Sequence, residues 1–330
     1  MKHAPTGALL LALNNTPLAL FAGVLIAFGL LAPKFLTAAN AANVLIQSAP
    51  TAIVATGMTF VLLTAGVDLS VGAIMFLGAA VAGKLALGGA PLWAAVIAII
   101  AIGIACGTVN ALLVTRLRII AFIATLGTLY VGRGLGLRIT ETRAMNLPDN
   151  FVALGSSRVL GVPVPLLVLA GVLVIAHAVL RHTPFGRQVY AVGADAEVAR
   201  KAGIRVPIIL ASVYVISGLC AAIAGLLSLA QLGAVAPTFG SQKEFAAIAA
   251  AVLGGTSLFG GRGNVLPGTL FGAVLIQSLE SGLVIVNADP YLYPLVTSAI
   301  IFLAVLLDSA RSAVLARLSR RRIRQEPEST

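Results

Sequence analysis

The apolar runs in this chain are too long and too continuous for a water-soluble fold. Cut at glycine, proline and charge, the sequence falls into ten such runs. They lie at Pro17–Pro33, Val44–Thr64, Leu69–Ala86, Leu92–Thr115, Ile119–Ile139, Val162–Leu180, Ile209–Gly233, Phe245–Phe259, Val265–Val286 and Tyr291–Leu307. A transmembrane β-barrel would instead show short alternating segments. Over such runs only helices satisfy the backbone in lipid. The expected fold is therefore all-α: a polytopic transmembrane helical bundle of about ten spans, read as one transmembrane domain over residues 1–330. The eighth run is short for a span of roughly 20 residues, and is expected to be broken or re-entrant. The first run also fits a signal-peptide core, with Ala38, Ala39, Ala41 and Ala42 after it. An uncleaved span is the better reading, because nothing downstream resembles a secreted domain.

Charge supports the same picture. Only 10% of the 330 residues are charged, against roughly a quarter in soluble domains. The net charge of +11 could signal nucleic acid, but the bases fall in short loops and in the tail Arg320–Arg324. That is an orientation signal and not a binding groove. With ten spans and both termini in the cytoplasm, fifteen of the 22 Lys and Arg residues fall on the cytoplasmic side and seven elsewhere. Residues 1–16 and 309–330 are then cytoplasmic end segments, and 181–208 is the longest cytoplasmic loop. Cys106 and Cys220 stand far apart in apolar runs and match no metal or redox spacing, so both are read as packing residues.

The catalytic inventory is thin. His3, His177 and His182 are scattered, and no HExxH or GxSxG is present. Gly254-Gly-Thr-Ser-Leu-Phe-Gly-Gly-Arg-Gly263 resembles a phosphate loop but lacks the Gly-Lys-Ser/Thr ending, which excludes ATP binding there. It reads as a tight loop between spans, with a direct solute role as the alternative.

Charges inside the apolar runs are more informative, since they are expensive in lipid and turn toward a cavity or a partner. Asp68 and Ser70, in Gly66-Val-Asp-Leu-Ser-Val-Gly72, either cap the third span or contact solute; the cap is the stronger reading. Arg133 in the fifth span and Glu280 in the ninth either line a polar pathway or bond to backbone or to each other. Glycines at 218–225 and in Gly268-Thr-Leu-Phe-Gly272 allow close helix approach, as packing or as a dimer face.

The stretch Arg181–Ile208 differs from everything around it. It carries Arg181, Arg187, Asp195, Glu197, Arg200, Lys201 and Arg205. Its section Asp195–Gly203 has a possible N-cap, early acids, late bases and a terminal glycine, the pattern of a short polar helix. Two readings stand side by side: a dock for a soluble partner, and an ordinary basic loop.

Several segments together resemble one family. Gly66–Gly72, Ala124-Thr-Leu-Gly127 followed by Arg133-Gly134, Gly186-Arg-Gln-Val-Tyr-Ala-Val-Gly193, Ala199-Arg-Lys-Ala-Gly-Ile204 and Ala247–Gly261 stand in order. From Val44 to Asp308 the chain is similar to the inner-membrane permease subunits of ribose-type sugar ABC importers. Glu244-Phe-Ala246 departs from the Glu-Leu-Asp often found there. Branched-chain amino-acid permeases share the broader fold, and Asp68-Leu-Ser-Val-Gly72 favours the sugar branch.

The resemblance implies a transport subunit in the bacterial inner membrane with no catalysis or cofactor of its own. ATP and Mg would bind a separate cytoplasmic ATPase. A periplasmic sugar-binding protein and a second permease copy or paralogue would complete the importer. The ATPase-coupling residues would be Gly186, Arg187, Gly193, Glu197, Ala199, Arg200, Gly203 and Ile204. The competing functions are a permease for branched-chain amino acids or nucleosides, a stand-alone secondary transporter, and an intramembrane enzyme. The sugar itself stays open, because specificity is expected to reside mainly in the binding protein.

Overall fold

A computed structural model of the chain describes residues 16–299 together with 302, 303 and 306. All but the last residue of the expected segment 1–16, the whole of 309–330, and the end of the tenth run lie outside the described residues. Twelve named helices follow in order: α1 Thr16–Leu31, α2 Ala38–Leu63, α3 Val71–Leu87, α4 Leu92–Thr115, α5 Ala121–Thr140, α6 Asp149–Ser156, α7 Val164–His182, α8 Pro184–Ala194, α9 Ala196–Lys201, α10 Val206–Leu232, α11 Lys243–Leu253 and α12 Leu270–Ile285. A π turn, Val265–Thr269, leads into α12. The chain is helical again over 292–299. Five of these segments are long and apolar enough to cross a membrane by length and composition: α2, α4, α7, α10 and the stretch from the π turn through α12. Shorter apolar helices occur at Phe21–Leu31 and Val71–Leu87.

The chain divides into two compact units. The first holds residues 1–40 and 278–330. There Phe28, Ala32 and Phe35 pack with Leu279 and Leu283. The Phe28 ring fills the space that a side chain on Gly282 would need. Ser281 Oγ donates to Asn40 Oδ1 at 2.9 Å.

The second unit, residues 41–277, is built around α2, α3, α4, α5 and α10. Helix α4 lies along α10 with almost no side chains between them. A Cβ on Gly103 would meet the Gly218 carbonyl, and one on Gly107 would lie 2.6 Å from the Tyr214 oxygen. Small residues allow this approach, and dispersion contacts over the length of both helices reward it. Gly225 seats on Met75 of α3, and Gly272 on the Ala250 carbonyl of α11, so the small-residue stretches pack within the chain.

At one end of this unit, short strands Met145–Asn146 (β1) and Ala234–Val235 (β4) pair antiparallel. Arg158–Val159 (β2) and Val162–Pro163 (β3) form a second small hairpin. At the other end, α8 meets the end of α2 and the glycine-rich loop after α11.

Two elements do not run the full depth. After Leu63 the chain leaves helical conformation for residues 64–70 and turns back into the bundle. Gly66 lies against the Tyr214 hydroxyl, and Asp68 bonds to Ser217 nearer the middle of α10. Helix α3 therefore starts inside the bundle. The short eighth run contains only α11, 11 residues or about 16 Å at 1.5 Å per residue. Non-helical backbone at membrane depth survives only where protein surrounds it. Val71, Gly72 and Ala73, at the start of α3, are all buried.

Candidate functional site

Asp68 gathers four elements. It is 0% exposed. Its Oδ1 accepts from the Ser70 backbone N–H at 3.0 Å, from Ser70 Oγ at 2.6 Å and from Asn110 Nδ2 of α4 at 3.5 Å. Its Oδ2 accepts from Ser217 Oγ of α10 at 2.7 Å. Asn110 also donates to Ser70 Oγ at 2.8 Å and accepts from Thr128 Oγ1 of α5 at 2.6 Å. Neutral donors thus satisfy a buried carboxylate, which would otherwise be costly. Ser70 is the N-cap residue of α3 but its side chain makes no capping bond. The expected cap is replaced by Asp68 holding the Ser70 amide. The sequence reading missed Asn110, Thr128 and Ser217; each is a single polar residue in an apolar run, with no local pattern to mark it.

Arg133 makes its bonds to backbone. Its Nη1 donates to the Phe239 carbonyl at 2.7 Å and to the Pro237 carbonyl at 3.4 Å. Its guanidinium carbon lies 5.1 Å from the centroid of the Phe76 ring, a cation–π arrangement. It thereby clips α5 to the segment between β4 and α11. Glu280 is partly buried on α12 and belongs to the first unit.

The polar stretch after α7 folds into two helices where one was expected. Thr183 caps α8, its Oγ1 accepting from Gly186 N at 3.1 Å, and Pro184 stands at the first helical position. Gly186 sits against the carbonyls of Val179 and Leu180, so only glycine permits so sharp a turn off α7. Asp195 then caps α9, accepting from Glu197 N at 2.8 Å and Val198 N at 2.9 Å. Gly203, at φ +85°, ends α9 as expected, and Ile204 N returns to the Ala199 carbonyl at 3.0 Å. Glu197 and Arg200 share an exposed face and pair at 2.7 Å, with Lys201 at 3.9 Å. Ala199 is buried beneath them, while Val198 is 60% exposed.

This helix pair has a defined seat. Gly193 packs directly on the Leu63 carbonyl, to which Gly261 N also donates at 2.9 Å. Tyr190 donates its hydroxyl to the Gly263 carbonyl at 2.8 Å. Burial pushes the Tyr190 phenol up, which keeps it a donor. The loop Gly254–Gly263 is therefore a tight connector, with positive φ at Gly255, Gly260, Gly261 and Gly263. Arg187 and Arg181 line a cavity of about 520 Å³ beside Tyr190 and Asn264. Among the described residues no group of His, Cys, Asp and Glu could hold a metal.

A buried polar knot, half-depth helices and a polar helix pair seated on the bundle describe a membrane permease built of helices. Residues 40–306 match the family of branched-chain amino acid transport system permease components, and the chain belongs to that family. It is 40% identical over 286 residues to the ribose import permease protein RbsC of Escherichia coli K12, covering 85% of this chain and 89% of the relative. The RbsC protein of Bacillus subtilis is 42% identical over 294 residues, 88% and 91% of the two chains. The D-allose transport system permease protein AlsC of Escherichia coli is 38% identical over 284 residues, 85% and 87%. No solved structure matches the chain significantly. The family and these relatives are transport components and not enzymes.

Proposed function

We propose that this chain is the membrane-spanning permease subunit of an ATP-binding-cassette sugar importer in the bacterial inner membrane. The carrying observation is similarity to ribose and allose permeases along most of its length. It crosses the membrane about ten times with both termini in the cytoplasm. The apolar runs and the distribution of Lys and Arg support that topology. Helices α8 and α9 face the cytoplasm and dock a separate ATPase, which binds ATP and Mg. The exposed Val198, Glu197 and Arg200 form the docking face. Gly186, Gly193, Ala199, Gly203 and Ile204 shape and seat it, with Arg187 at its edge. A periplasmic sugar-binding protein delivers the solute, and a second permease copy or paralogue completes the pathway. Asp68 and Ser70 hold the helices in place. Arg133 and Glu280 are the pathway-lining candidates.

The test is reconstitution in proteoliposomes with a partner ATPase and a sugar-binding protein. Uptake of ribose or a related sugar should require all three components and ATP. Uptake that persists without the ATPase would mark a secondary transporter. For topology, cysteines introduced at Ser156 and Ser319 should label from opposite sides of the membrane; labelling of both from one side rejects ten spans.

A further inference from the structure

The starts of α3 and α11 meet inside the second unit. A Cβ on Gly72 would collide with the Gly240 carbonyl and with Glu244 Oε2. Gly240 in turn stands at φ +68° with the Gly72 carbonyl oxygen against it. The first turn of α3 and the segment leading into α11 thus meet at one point, with backbone touching backbone. Glu244 occupies that point. It is 7% exposed, and its Oε2 has no hydrogen-bond partner among the described residues. Arg133 reaches the same segment from α5, on the carbonyls of Phe239 and Pro237. Both of those bonds use Nη1. Lys243 reaches the buried Thr51 Oγ1 at 3.4 Å and does not neutralise its neighbour through an ion pair among the described residues.

A buried carboxylate oxygen without a donor is rare, because water or a protein group normally satisfies it. Asp68 shows how fully this chain satisfies a carboxylate whose role is to hold helices together. Glu244 Oε2 is left without such a donor among the described residues, where Gly72 and Gly240 close on each other. In transporters, half-depth helices whose N-termini converge near the midplane form solute sites.

We propose that Glu244 and Arg133 form a polyol contact point on the translocation pathway, reached by solute when the starts of α3 and α11 part at Gly72 and Gly240. Glu244 Oε2 accepts a hydrogen bond from a hydroxyl of the solute, and the guanidinium donates one to a neighbouring oxygen of the same solute. An acceptor beside a planar donor suits the vicinal hydroxyls of a neutral sugar. An apolar solute would leave Glu244 Oε2 without a donor. The inference rests on the sugar-permease reading and names the residues that read the sugar.

The test uses the complete importer in proteoliposomes, with initial uptake rates normalised to folded permease, for two epimeric sugars. Glu244→Ala should lower uptake at least tenfold. Glu244→Gln keeps the shape and one acceptor; it should retain uptake within about threefold of the original while changing the rate ratio between the epimers. A merely structural role would not move that ratio. Wild-type rates for Glu244→Ala overturn the proposal, since the oxygen then serves only a buried water. If Glu244→Ala fails to fold, Glu244→Gln decides: an unchanged rate and ratio overturn it. If the unmutated importer carries no sugar at all, the sugar-permease reading fails first.

Discussion

Replacing Gly193 by alanine tests the seat of α8 directly. The new methyl would fall onto the Leu63 carbonyl oxygen and lie 2.7 Å from Gly261 N. These are backbone atoms and cannot rotate away. The methyl therefore drives α8 off the end of α2 and breaks the Gly261 to Leu63 hydrogen bond of 2.9 Å. Overpacking costs about 1–3 kcal/mol, and deserting a buried hydrogen-bonding group about 1–3 kcal/mol more. The sum is roughly 2–6 kcal/mol. At roughly 2–4 °C per kcal/mol for a unit of this size, the melting point should fall by about 5–20 °C. Gly203→Ala is the control. It has open space around its Cβ and φ +85°, so only left-handed strain of about 1–2 kcal/mol applies. The assay is thermal unfolding of the purified permease, with co-purification of the ATPase in parallel. Gly193→Ala should melt lower than Gly203→Ala and lose more ATPase. Equal melting points, or an unshifted Gly193→Ala, would refute the seat as described.

Asp68→Ala should be among the most damaging single changes in the chain. It strands Ser217 Oγ and the Ser70 amide and hydroxyl at about 1–3 kcal/mol per deserted group, read as loss of membrane-inserted permease. Asp68→Asn keeps an acceptor for Ser70 and lets the Ser217 hydroxyl turn to accept, so it should melt well above Asp68→Ala. Glu197→Lys removes an exposed pair worth about 0.2–0.5 kcal/mol, so the permease should insert and melt as before. It should nonetheless release or uncouple the ATPase; wild-type co-purification with wild-type stimulated hydrolysis would return the stretch to a plain basic loop.

What could be read in advance follows from how local each signal is. Helix α4 begins and ends where its apolar run does, because Pro91 precedes it and Arg116 closes it. Helix α2 starts six residues before its run, since Ala38, Ala39, Ala41 and Ala42 favour helix although Asn40 interrupts the hydrophobicity. Asp195 and Gly203 marked α9 by capping chemistry alone. Helix α8 carried an equal signal in Thr183-Pro184, overshadowed by the charges around it. The polar knot was illegible beyond Asp68. Its bond to Asn110 spans 42 residues and that to Ser217 spans 149, so only packing brings them together. In the sequence Glu244 stood out only within Glu244-Phe-Ala246, the departure from Glu-Leu-Asp. Its burial comes from Gly72 and Gly240, which close around it only in the folded chain.

The seat of α8 and the junction at Glu244 belong to the same two elements. Leu63, beneath Gly193, is the last residue of α2, and the segment it launches delivers Gly72 to the junction. Gly260 and Gly261, also beneath Gly193 and Ala194, lie in the loop leaving α11, whose first turn carries Glu244. A displacement of α8 therefore acts on the far ends of both half-depth elements whose near ends close on each other. Spatial continuity alone does not establish such a link; an energetic coupling does. A double-mutant cycle of Gly193→Ala with Glu244→Gln supplies the measurement, scored on uptake per ATP hydrolysed. Independent sites add to within about 0.3–0.5 kcal/mol. The shared elements predict a larger interaction, and a cycle that closes within that limit would separate the seat from the junction.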